Sequence, residues 1–438
     1  MSRWLAPQWA LRGGIPGRAS TFMMPPAAKT KPRKRPRTSD LRGAALLATH
    51  ATVGVTHIAE GVHQSVWDTL GFPGGNAPGQ AGGITGLVYR SVRGVARLLG
   101  KGVDVTLARL QPLLEAAESH LPGTPQREAI LAALNGVIGH HLAATHNPFA
   151  TRMTVRYRGE PLDWQALPPM PDATGKVLLL IHGLCMSDLH WHAEPEGRVV
   201  DHGEVLASAL GYTPLYLRYN TGLHTSQNGR ELSAMLEALV VHWPVPIEDL
   251  TVVVHSMGGL VIRSACDCAK QDALRWPGRL KNIVFLGTPH HGAPLERAGN
   301  RADVILGSTP WTAPFARLGH LRSAGITDLR YGHVVDEDWQ GHNRFHRKPD
   351  TRRIVPLPEG VACYAVAATL AARRNHLADR LLGDGLVPLH SALGHHDDPQ
   401  RTLQFPKASQ WIAYRTNHMA LLSSPDVSRQ IVHWLTPH

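Results

Sequence analysis

The sequence predicts an α/β fold, with a mostly parallel sheet flanked by helices and a helical region ahead of it. Three observations carry this. Short apolar runs recur at Lys176–Ile181, Thr251–Val254 and Lys281–Leu286; lacking polar alternation, they suit strands covered on both faces. Segments of helical apolar period lie between them, and strands alternating with helices imply a parallel sheet. The polar residues gather just after the runs, and in such a sheet those loops collect at the strand carboxyl ends.

At 438 residues the chain is long enough for one large domain and an appendage, and 43% hydrophobic with 18% charged residues is a globular composition. The formal charge of +11 is partly local: residues 1–39 hold nine Lys or Arg and no acid, including Lys29–Arg37. This Pro-interrupted run reads as a disordered basic tail over 1–40. The rival reading is a tether to an anionic surface, with membrane lipid favoured over nucleic acid. Met23 and Met24 are alternative starts. Pro7 interrupts the opening apolar stretch and no cleavage site follows, so no signal peptide is read. No run of about 18 apolar residues occurs. The expectation is a cytoplasmic protein, peripherally membrane-associated in the rival reading. Four scattered cysteines suit neither a disulfide framework nor a zinc site, and are expected reduced and buried.

Residues 41–150 read as helical, broken by the Gly/Pro stretch 71–83. Arg90, Arg93, Arg97 and Lys101 line one face of the second helical region, and a third runs from Pro125 to His141. The basic stripe suits either a solvated face or a membrane-surface helix. From residue 151 onward the pattern is strand and helix: a strand at Met153–Tyr157, then Lys176–Ile181, a helix at Asp201–Leu210 and a strand at Thr213–Tyr219. A helix with Ser226 as its N-cap follows, then the strands at Thr251 and Lys281. Residues 295–353 show no strand pattern and hold Trp311, Phe315, Trp339 and Phe345, which reads as a cap or lid. Strands at Val361–Ala367 and Trp411–Tyr414 and a helix at Pro425–Leu435 complete the chain.

The centre of this organisation is Thr251-Val-Val-Val-His-Ser-Met-Gly-Gly259. A β-branched strand ends in a serine and small residues, and a helix begins at Leu260. Such a strand–turn–helix lifts a serine Oγ off the sheet above a helix N-terminus, so Ser256 is the predicted nucleophile. Upstream, Lys176–Ile181 runs into His182-Gly183-Leu184, where the Leu184 amide is a predicted oxyanion donor; the second is the Met257 amide. His290, in Gly287-Thr-Pro-His-His-Gly292, has no carboxylate or cysteine at ligand spacing, so no metal is expected there. His182, Gly183, His255, Pro289 and His290 are candidate pocket residues. Asp384, between two glycines ahead of an apolar segment, is the candidate acid. His418, between the last strand and last helix, is the candidate base.

The chain order Ser256, Asp384, His418 is that of the α/β-hydrolases. With His-Gly-Leu at 182–184, Val-His-Ser-Met-Gly-Gly at 254–259, Gly-Thr-Pro-His-His-Gly at 287–292 and Gly-Asp-Gly-Leu-Val-Pro-Leu at 383–389, the region from Met153 to the C-terminus resembles bacterial lipases and esterases of the GPI inositol-deacylase-like branch. Val254 stands where most relatives have Gly. The resemblance implies an α/β-hydrolase fold and cleavage of acyl esters by a Ser-His-Asp triad, without a cofactor. Two alternatives stay open: a thioesterase or amidase with the same triad, and a non-catalytic lipid-binding protein.

Overall fold

The structure, a computed structural model, describes residues 125–192, 200–293, 323–341, 350–372 and 383–437. The basic tail, the Arg90–Lys101 stripe and most of the expected cap lie outside the described residues.

Eight strands form one sheet: β1 (Thr154–Tyr157), β2 (Glu160–Pro161), β3 (Lys176–Ile181), β4 (Thr213–Arg218), β5 (Asp249–His255), β6 (Leu280–Leu286), β7 (Ala362–Thr369) and β8 (Gln410–Tyr414). Their order is β2-β1-β4-β3-β5-β6-β7-β8. β1 runs antiparallel to both neighbours, and every other pairing is parallel.

The apolar runs serve both faces at once. Alternate side chains of a strand point to opposite sides. Val177, Leu179 and Ile181 of β3 therefore pack with Leu232, Leu236 and Leu239 of α3 (Thr225–His242) and with Val261, Ile262 and Ala265 of α4 (Gly258–Gln271). Leu178 and Leu180 face the other way, onto Leu206 of α2 (His202–Leu210) and Val427 and Ile431 of α6 (Pro425–Leu435). Burying each such side chain is worth about 1.5–3 kcal/mol, so a polar residue anywhere in β3 would open one layer or the other. This mostly parallel sheet with helices on both faces is the α/β-hydrolase fold.

Helix boundaries follow local chemistry. Asp201 caps α2 by accepting from the Gly203 and Glu204 amides, and Gly211 ends it in the left-handed region. α3 departs from expectation: it starts at Thr225 with His224 as N-cap. Ser226, expected to cap it, lies inside the first turn and accepts a hydrogen bond from Trp339 Nε1.

The strand order creates one special place. The chain passes from β3 to β4 on one side, then crosses to β5 on the other. Loops after β3 and β5 diverge there, at the switch point beyond the strand carboxyl ends where open α/β sheets place their ligands. Over it sits α1 (Pro125–Ala144), which belongs to the region ahead of residue 151. Its Ala133, Leu134, Val137 and Leu142 share a cluster with Leu184, Cys185, Met257 and Leu260, and with Leu329 of α5 (Ala324–Tyr331). α1 is kinked at Ile138 (φ −131°, ψ 16°). No described helix is long and apolar enough to cross a membrane.

Candidate active site

β5 delivers Ser256 directly beyond its last residue, with φ +53°, a left-handed conformation that is strained for a residue with a side chain. The sheet and helix hold it there. Its amide donates to the Leu286 carbonyl on β6, and its carbonyl accepts from Gly259 as α4 begins. Val254, two residues earlier, is fully buried and pairs with Ile181 and Phe285 on the neighbouring strands. Room for the turn comes from the glycines around it instead. A Cβ on Gly258 would stand 2.7 Å from the Ile181 carbonyl oxygen, and one on Gly183 only 2.9 Å from the Ser256 Cβ.

Asp384 and His418 lie on loops 34 residues apart and meet in the fold. His418 Nδ1 is 2.7 Å from Asp384 Oδ2, and the His418 amide donates to the Asp384 carbonyl at 3.1 Å. The other carboxylate oxygen, Oδ1, accepts from the Leu386 and Val387 amides at 2.9 and 2.8 Å. Both side chains are almost fully buried. The sharp Gly-Asp-Gly turn produces this arrangement, because it folds the amides after Asp384 back onto its own carboxylate. Two other carboxylates, Asp397 and Asp398, lie nearer His418 in sequence but are exposed, and Asp398 spends Oδ1 capping the short turn Pro399–Arg401.

The Asp384–His418 pair stands beside the serine turn. A Cβ on Gly287, which follows the residue accepting the Ser256 amide, would come 3.1 Å from His418 Nδ1 and 3.2 Å from Asp384 Oδ2. His255, immediately before Ser256, has its ring centroid 4.6 Å from that of His418 and its Nε2 3.0 Å from the His418 carbonyl oxygen.

Beyond β3, His182, Gly183 and Leu184 are buried. His182 stacks on Tyr219 with centroids 4.5 Å apart, and burial pushes its pKa down to about 3, so the ring is neutral. Leu184 and Met257 belong to the cluster beneath α1. Cys185, next in the turn, has φ +60° and donates its amide to Thr221 Oγ1. Pro289 is buried and accepts from the Gly292 amide. His290 is buried against Phe285 and Phe405, and desolvation holds its pKa well below the ordinary range. The structure therefore gathers Gly183, His255, Ser256, Asp384 and His418, whereas His290 sits among aromatic rings.

Sequence reasoning passed over two features. The first is the roof formed by α1. A Cβ on its Gly136 would stand 2.1 Å from Cys185 Sγ, and Ser323 Oγ donates to the Gly136 carbonyl at 2.6 Å. The second is Arg218 at the end of β4. It binds Asp188, just past the Leu184 turn, and Glu128 of α1 at 2.6 Å. A glycine and a Glu on the helix were the available signals, but neither names its partner.

Comparisons with known proteins leave the family open. A family described as a domain of unknown function, DUF7379, matches residues 140–318, less than half of the chain. No curated protein matches. Among solved structures the chain is similar to the Bacillus licheniformis lipase BlEst2 in mature form, at 16% identity and TM-score 0.39 over 65% of this chain and 97% of that one. It is also similar to the Pyrococcus furiosus esterase Pf2001, at 14% identity and TM-score 0.35 over 60% and 81%. A thermophilic esterase from Thermogutta terrifontis is similar at 13% identity and TM-score 0.34 over 60% and 90%.

Proposed function

We propose that the protein is a serine hydrolase of carboxylic esters. The observation that carries this is the buried Asp384–His418 hydrogen bond, set beside a serine in a strained left-handed turn at the topological switch point. In this reading His418 Nε2 takes the Ser256 proton as Oγ attacks the ester carbonyl carbon. The Leu184 and Met257 amides receive the oxyanion. His418 then returns the proton to the departing alcohol, leaving an acyl-enzyme. Water, deprotonated by the same imidazole, attacks this ester and frees the carboxylate and Ser256. Asp384 keeps Nδ1 protonated, so that Nε2 is the atom left to accept.

The test is labelling of the purified protein by a fluorophosphonate, together with turnover of p-nitrophenyl esters from acetate to palmitate. Ser256→Ala should abolish labelling and lower kcat by roughly 10⁴–10⁶-fold, the scale reported for triad serines elsewhere. Undiminished labelling of that variant would move the chemistry to another residue. The expected substrate is an ester with an apolar acyl chain, with kcat/KM rising from acetate to octanoate, since each buried methylene offers about 0.8 kcal/mol. A flat series would remove the lipid part of this reading.

The basic stretch Lys29–Arg37 is read as the tether to anionic bilayers. Full-length protein should then sediment with phosphatidylserine vesicles at low salt and detach at half-molar salt. Exchange of its six basic residues for Ser should abolish sedimentation. Equal sedimentation of both proteins would exclude this segment as the tether.

A further inference from the structure

The candidate base is held at three points, and they are not equivalent. Two of them join His418 to Asp384: Nδ1 to the carboxylate and the backbone amide to the Asp384 carbonyl. Those bonds tie two loops to one another, and the loops' other backbone anchors, at Thr369, Leu370 and Ala371, hold them to the end of β7 rather than to the serine turn. The third contact is different. The His418 carbonyl oxygen lies 3.0 Å from Nε2 of His255, the residue directly before Ser256. It is the hydrogen bond that joins the base loop to the strand end carrying the serine.

The chemistry of this contact has one solution. A carbonyl oxygen accepts only, so His255 Nε2 must carry the proton. Nδ1 is then a bare acceptor, and it is buried without a partner among the described residues. It faces Gly183, where a Cβ would come within 3.0 Å of it. An imidazolium would need a second acceptor at that position, and the ring is fully buried. Burial holds the His255 pKa well below its ordinary value, with the neighbouring His418 adding to the effect. His255 is therefore a neutral, single-donor clamp throughout the working pH range.

We propose that His255 is a positioning residue that fixes the distance between the general base and the nucleophile by holding the His418 backbone. The proposal rests on the serine-hydrolase reading and adds to it a residue that touches no reacting atom. Its signature is a loss of kcat without a loss of substrate binding, because the clamp acts on His418 and leaves the acyl pocket alone. A displacement of about 1 Å between reacting groups costs on the order of 100-fold, so removal of the clamp should cost roughly 10- to 100-fold in kcat.

The experiment compares three full-length variants: His255→Phe, His255→Gln and His255→Asn. Phe keeps a flat ring and loses the donor. Gln carries an amide N–H at about the reach of Nε2, whereas the Asn amide stops near the Nδ1 position. Each is measured for kcat and KM on p-nitrophenyl butyrate, for the rate of fluorophosphonate labelling, and for Tm. Phe and Asn should lower kcat and labelling rate together by roughly 10- to 100-fold with KM within about twofold, and Gln should recover most of the loss. Phe retaining wild-type kcat would overturn the proposal, as would a Gln variant of wild-type Tm that is as slow as Phe. If Phe does not fold, the Gln–Asn difference decides in the same way. Ser256→Ala in the same labelling assay separates the two levels. A labelled Ser256→Ala protein removes Ser256 as the nucleophile, and with it the reading on which the clamp rests, whereas an unlabelled one beside a fast His255→Phe defeats only the clamp.

Discussion

At Asp384 the two carboxylate oxygens have separate tasks, and a single-atom change tests the division. Oδ1 is occupied by the Leu386 and Val387 amides, and Oδ2 faces His418 Nδ1. Asp384→Asn keeps the first interaction by retaining one carbonyl oxygen. It places an NH₂ against Nδ1, which then presents its lone pair and puts the ring proton on Nε2, the wrong atom for a base. Steady-state kcat should fall by about 10⁴-fold, as for the matching change in serine proteases, while Asp397→Asn stays within about twofold. The reverse ranking would remove Asp384 from the mechanism. The candidate residues were legible because the polar loops follow apolar strands in order. That Asp384 and His418 touch followed only from the resemblance, since the bond spans loops with a short helix, two turns and β8 between them. The position of His255 had a local signal, adjacency to Ser256, but its bond to a backbone carbonyl leaves no trace in residue identity.

The element that most changes the reading of the site is α1. As sequence it is one more helix ahead of residue 151; in the structure it lies on the turn that follows β3. Its Gly136 approaches Cys185 so closely that Gly136→Ala would put a Cβ 2.1 Å from Sγ and 2.9 Å from Cα. The turn must shift, at a cost of about 1–3 kcal/mol by the usual scale for overpacking, and it carries the Leu184 amide. Urea unfolding should show that loss, and kcat should drop with it. Cys185→Ala in the same chain removes the nearest atom and should restore part of the stability. Strict additivity of the two changes would mean that the helix does not rest on this turn. Strand boundaries of β3, β5 and β6 were readable to within two residues, because short unbroken β-branched and Leu runs suit strands covered on both faces. The α1 contact was not readable, because a glycine has the same letter whether it faces water or a thiol.

For the molecule as a whole, the buried imidazoles set a pH dependence. His182, His202, His255 and His290 are almost fully buried, and desolvation lowers the pKa of each, for His182 to about 3. In the unfolded chain they titrate near 6.5. Above that value neither state binds the proton, and this contribution to stability is fully present. Below it the unfolded chain takes up protons that the native state refuses, so stability falls as pH drops from about 6.5 toward the depressed folded values. Each group contributes up to about 1.4 kcal/mol per pH unit. Tm should be level between pH 8 and 7 and fall progressively from pH 6.5 to 5. Calorimetry in buffers of different ionisation enthalpy should register proton uptake on unfolding. A Tm unchanged down to pH 5 would show that these rings are protonated, or solvated, in the folded protein.

The contact between α1 and the β3 turn also gives the protein an internal clock. The Cys185 thiol is shut beneath the helix, and its burial raises the pKa to about 12, so an alkylating reagent meets almost no thiolate. Modification of this sulfur therefore has to wait for the helix to lift. Its alkylation rate, followed by mass spectrometry, counts those openings.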